Sequence, residues 1–161
     1  MIAFEKTPLY IRIILPVLWY GFIFFLTELP FAGGNNTRDA ISNALSKSKI
    51  ENIDTFEVSG IIDAIFRSSA HFSMFGIQSI LMFFLIKPSF KFDKKVFWTV
   101  GVIIIGILGT MDEFHQSFVP ERKPRIEDVL IDISGGLILL YSTLWLKSRY
   151  FNNYQNKNIS I

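Results

Sequence analysis

"GTMDEFHQSFVPERKPRIEDVLIDISGG", residues 109–136, sets acids and amides at the end of one apolar run and at the start of the next. The first run, VFWTVGVIIIGILGTM, has 16 residues from Val96. Crossing the hydrocarbon at about 1.5 Å per residue takes about 20, so the helix must continue through Asp112, Glu113 and His115. The second run begins at Ile126 and reaches Leu146, with Asp128 and Asp132 in its first two turns. A loop of about nine residues joins them, short enough to make the two helices antiparallel neighbours. Asp112 lies five residues before that loop, Asp128 three and Asp132 seven after it, so all three share a depth. Asp112 and Gln116 are spaced i, i+4, as are Asp128 and Asp132. Each pair therefore shares a helix face, and the two pairs can meet.

The rest of the chain reads as membrane protein. Of its 161 residues 50% are hydrophobic, 17 are Phe, and the mean hydropathy is +0.38. Charged residues are 19%, below the ~25% of soluble domains, and the apolar residues cluster in runs. Two further runs complete a set of four: residues 9–29, stopped by Pro30, and residues 68–86, closed by Lys87 and Pro88 and extended outward from Val58. With 96–115 and 126–146, they predict an all-α integral membrane protein. It is a single domain over 1–161, a small bundle of about four transmembrane helices with its polar residues clustered at the extracytoplasmic end. ELPFAGG puts Pro30 where signal cleavage needs a small residue, so the first run reads as a retained span. TRDAISNALSKSKI predicts a short amphipathic helix capped by Thr37, lying on the membrane surface or as an ordinary loop helix.

Lys6, Arg12, the lysines of residues 87–95, Lys147 and Arg149 fall on one side of four spans. The positive-inside rule makes that side, with both termini, cytoplasmic, and places 35–67 and 117–125 outside. A net charge of +2 without a basic stripe carries no nucleic-acid footprint. The absence of cysteine excludes disulfides, thiolate metal sites and a Cys nucleophile.

Ionisable groups within a span cost several kcal/mol unless they face the bundle interior or water. The two pairs, Asp112/Gln116 and Asp128/Asp132, are thus expected to line an outward-opening cavity. His71, in the first turns of the second span, brings a third helix to that end, and Glu28 is a candidate fourth contributor. Pro120 and Pro124 fix φ on either side of Arg122. An arginine held stiffly over carboxylates can pair with one of them or clamp a phosphate in two-point fashion. Gly135 and Gly136 permit close helix approach or leave room for a ligand.

These residues resemble the VanZ-like family, small multi-spanning membrane proteins linked to low-level teicoplanin resistance. The family pattern, approximately D-E-x-x-Q-x-F-x-P-x-R followed by an Asp and, one turn on, Asn and Gly, is matched by Asp112, Glu113, Gln116, Phe118, Pro120, Arg122, Asp128 and Gly135. His71 and Phe72 look like the family's His-Phe pair, and Arg67 takes the place of its basic residue. Asp132 stands where the family usually has Asn, and Met74 and Phe75 where Glu-Tyr is common. The resemblance implies a protein of the bacterial cytoplasmic membrane that acts on the cell envelope and lowers glycopeptide susceptibility.

On the enzyme reading, Asp112, Glu113, Asp128 and His71 are the candidate catalytic residues, as acid and base toward a lipid-linked envelope molecule. Gln116, Arg122, Asp132 and Arg67 are candidates for substrate binding. No metal ligand is assigned, since the carboxylates form no unique ligand motif, and no cofactor is specified. On the binding reading the pocket holds a lipid-linked wall precursor, an anionic lipid headgroup or the glycopeptide unchanged. On a structural reading the same residues brace the bundle as an ion-pair network. Membrane lipids are the expected partners on each.

Overall fold

The computed structural model describes residues 7–29, 35–47, 54–89, 93–120 and 122–159. All regular structure among them is helical: α1 (Leu9–Glu28), α2 (Asn35–Lys47), α3 (Thr55–Ser89), α4 (Lys94–Gln116) and α5 (Ile126–Ile159). Lys6, Pro30 and Lys91, used above to read span ends and orientation, lie outside the described residues. Four helices are long and apolar enough to cross a membrane, while α2 is short and polar. The chain is a multi-pass helical membrane bundle.

The helix ends follow local chemistry more than span length. α3 begins at Thr55, where Asp54 Oδ1 accepts the N–H groups of Phe56 and Glu57 at 3.0 and 3.2 Å. This carboxylate cap satisfies donors that a helix start leaves open. At 35 residues α3 is roughly 50 Å long, so it overruns a ~30 Å hydrocarbon layer. α5 likewise continues 13 residues beyond the expected end at Leu146, because the polar stretch after the span contains neither Gly nor Pro to stop it. α4 ends at Gln116 and α5 starts at Ile126, the nine-residue connection read from the sequence.

α3 and α5 share the most extensive contact. Glycine is the reason. A Cβ on Gly135 would run into the Phe72 carbonyl, and one on Gly76 into the Leu139 side chain, so these helices approach backbone to backbone at one glycine and backbone to side chain at the other, as small residues allow in membranes. α4 packs on α5 in the same manner, with Gly109 under Asp132. α1 is fastened by two hydrogen bonds: Trp19 Nε1 donates to the Met74 carbonyl at 3.0 Å and the Tyr20 hydroxyl to the Leu108 carbonyl at 2.7 Å. Ile23, Phe75 and Ile105 form a small buried core, while most large apolar side chains remain on the outer surface, where lipid solvates them.

α2 starts at Asn35, two residues before the expected cap at Thr37, and packs against α3. Arg38 lies over the Phe56 ring at 3.6 Å and donates to the Phe56 carbonyl at 3.1 Å. The sequence placed this helix on the membrane surface or in a loop; it is docked on the overhanging end of α3.

Candidate functional site

The site grows from the hairpin of α4, its loop and α5. One turn apart on α4, Gln116 Nε2 donates to Asp112 Oδ2 at 2.7 Å. Past Gln116 the chain folds through consecutive turns, with Phe118, Val119 and Arg122 N–H groups bonded to the carbonyls of His115, Gln116 and Val119. This brings the Arg122 guanidinium back to Gln116 Oε1, at 3.3 Å. Glu113 closes the loop: its Oε2 accepts the Arg125 backbone N–H at 2.6 Å. A surface role for Glu113 is thus excluded, and its side chain is buried.

α5 presents Asp128 and Asp132 to α3. Asp132 Oδ1 lies 2.9 Å from His71 Nδ1, and Asp128 Oδ2 lies 3.9 Å from Arg67 Nε. Asp112 and Asp132 are fully buried, at 0% exposure, and Asp128, Gln116, Glu113 and His71 are buried as well. Space for Asp132 comes from Gly109, whose added Cβ would stand 2.7 Å from Asp132 Oδ2. The sequence-level expectation that the pairs Asp112/Gln116 and Asp128/Asp132 lie at one end of the bundle agrees with this arrangement.

Beside the cluster is a cavity of about 300 Å³. It is lined by apolar side chains, Ile23 and Leu26 of α1 and Phe66, Met74 and Phe75 of α3. Among them stand polar groups: Arg67, His71, Asp112 and Arg122, with Asp63, Thr27 and Thr37. Four of the eight expected site residues, Arg67, His71, Asp112 and Arg122, therefore reach the cavity. The other four, Glu113, Gln116, Asp128 and Asp132, stand behind them and hold them or the loop in place. Glu28 does not join: it pairs with His115 at 3.0 Å, and His115 stacks on Phe24 at 4.3 Å. α1 contributes Ile23, Leu26 and Thr27 instead. Asp63 and Thr37 were not among the expected site residues. Asp63 carried a readable signal, being four residues before Arg67 on one helix face.

Burial pulls the Arg122 guanidinium below its ordinary range; Asp112 opposes this, and the like charge of Arg67 adds to it. Arginine stays charged through such shifts. Two guanidinium groups in the cavity lining thus repel one another. His71, Asp112 and Glu113 also each present one ligand atom within 4.8 Å of the others.

A family model described as VanZ/LLP1 matches residues 12–147. No curated protein and no solved structure gives a match.

Proposed function

The chain belongs to the VanZ/LLP1 family, and from that premise we propose that it binds an anionic lipid-linked molecule of the bacterial cell envelope in the α1–α3–α4 cavity, so lowering teicoplanin susceptibility. The observation that carries this reading is one mostly apolar cavity whose lining includes the two arginines Arg67 and Arg122. Lipid chains match the apolar lining, and a phosphate or carboxylate head matches the arginines. The reading includes an outward-facing cavity and cytoplasmic termini, in keeping with the distribution of Lys and Arg.

Processing of the bound molecule by Asp112 and His71 is the second reading, favoured by their place on the cavity wall. Bracing by ion pairs alone is a weaker account. Buried pairs contribute little net stability, and Arg67, His71, Asp112 and Arg122 line an open cavity instead of a closed helix seam.

The test compares cells with and without the protein, and with Arg67→Ala and Arg122→Ala. Binding predicts that teicoplanin tolerance and the anionic lipid retained on purification both fall in the variants, with the envelope lipid composition unchanged. A new or depleted lipid species abolished by Asp112→Asn would establish processing instead. Unaltered tolerance and lipid retention in both arginine variants would refute the pocket's role.

A further inference from the structure

We propose that His71, Asp112 and Glu113 form a binding site for a first-row divalent cation, of the Zn²⁺ or Mn²⁺ kind, at the wall of the cavity. Their ligand atoms lie within 4.8 Å of one another, and all three residues are buried. Three atoms so spaced all lie within about 2.8 Å of some common point. Metal–nitrogen and metal–oxygen bonds of about 2.0–2.2 Å then need side-chain shifts of less than ~1 Å.

The second observation is what each side chain leaves over. Asp112 gives Oδ2 to Gln116, and Glu113 gives Oε2 to the Arg125 N–H. Asp112 Oδ1 and Glu113 Oε1 are buried and have no hydrogen-bond partner among the described residues. Their side chains are 0% and 5% exposed. A buried carboxylate oxygen left without a partner is costly, and a cation shared by both oxygens removes that cost. A 2+ ion between two carboxylates and a neutral imidazole also leaves the cluster without net charge.

The third ligand is oriented for the same task. His71 Nδ1 is engaged by Asp132 Oδ1 at 2.9 Å, which leaves Nε2 as the nitrogen able to coordinate. A carboxylate on the far nitrogen of a ligating histidine fixes its tautomer and ring plane, and ligating carboxylates are themselves held by hydrogen bonds. All three side chains here have such a support. An asparagine at position 132 could accept the same Nδ1–H bond through its carbonyl, so Asp132 in this chain strengthens a support that an amide could also give. Imidazole with two carboxylates suits Zn²⁺ or Mn²⁺; Mg²⁺ and Ca²⁺ favour shells of oxygen alone. His71 and Asp112 line the cavity, so open coordination positions would face whatever it holds.

The test uses the full chain in non-ionic detergent without added lipid, stripped with EDTA and loaded with ZnCl2, MnCl2, MgCl2 or CaCl2. Metal content is read by elemental mass spectrometry and the melting temperature with and without each ion. Because no lipid is present, failure of the metal site leaves the lipid-binding reading standing, and the reverse. The expected result is one Zn²⁺ or Mn²⁺ per chain, with a melting temperature raised by several degrees. His71→Gln, Asp112→Asn and Glu113→Gln should each weaken binding by ~100-fold or more. Asp132→Asn should keep the stoichiometry and weaken binding by roughly 10-fold, the scale of a supporting-residue change. Should any ligand variant fail to fold, wild type alone decides, through its metal content and thermal shift. Wild type that retains no ion and shows no shift, or a folded His71→Gln protein that binds like wild type, overturns the proposal.

Discussion

A single methyl group is the sharpest probe of how closely α3 and α5 approach. Gly135→Ala puts a Cβ into the Phe72 carbonyl, and backbone cannot step aside as a flexible side chain can. The expected cost is at least about 1–3 kcal/mol, seen as a lower melting temperature in detergent. Gly21→Ala meets nothing within 4 Å and should leave the melting temperature unchanged or slightly raised. Equal losses at both glycines would refute the close contact. Arg122→Lys keeps the charge on the cavity wall but loses the planar fork. It should weaken retention of anionic lipid while leaving the melting temperature within a degree or two of wild type. At this scale much was legible. The i, i+4 spacings identified the Asp112/Gln116 pair, and the depth argument brought Asp128, Asp132 and His71 to the same end. The bond from the Arg125 N–H to Glu113 was not legible, because it depends on how the loop turns back over α4. Nor were the fasteners Trp19 and Tyr20, whose acceptors are carbonyls on other helices; a backbone acceptor leaves no mark on side-chain patterning.

The connection between α4 and α5 is held from below by one carboxylate. Glu113→Ala removes the acceptor of the Arg125 N–H, a charged hydrogen bond of about 1.5–3 kcal/mol. Amide exchange across residues 117–125 should accelerate by an order of magnitude or more, while α5 beyond Asp132 keeps its protection. Unchanged exchange in the loop would refute the anchoring role. Arg38→Ala tests the docking of α2. Losing a ring contact and a hydrogen bond to the same residue, Phe56, should cost about 1–2 kcal/mol. It should release α2 amides to exchange ahead of the spans. Element positions were read well where apolar runs end at loops, as at Gln116 and Ile126. The helices run past the apolar runs at the start of α3, read as an extension from Val58 and found from Thr55, and at the end of α5. Hydropathy measures the thickness of the membrane, whereas a helix ends where its backbone bonding is interrupted. The Asp54 cap and the uninterrupted polar tail therefore moved the boundaries.

At the scale of the molecule, the orientation proposed from Lys and Arg can be tested without background, because the chain has no cysteine. A cysteine at Lys123, in the α4–α5 connection, should react with an impermeant thiol reagent on intact cells, and one at Lys147 only after lysis. The opposite pattern would turn the site toward the cytoplasm and refute the outward-facing part of the functional reading. Architecture was the most legible level of all, since four runs of membrane length leave few ways to arrange so short a chain. The cavity was the least legible, because its lining depends on how α1 and α3 pack side by side, with Thr37 of α2 and Arg122 of the loop brought to them. One consequence follows from Phe66, which lines the cavity yet is 67% exposed. The cavity is thereby open beside that ring, and an indole in its place, Phe66→Trp, would report filling of the cavity by a change in its fluorescence.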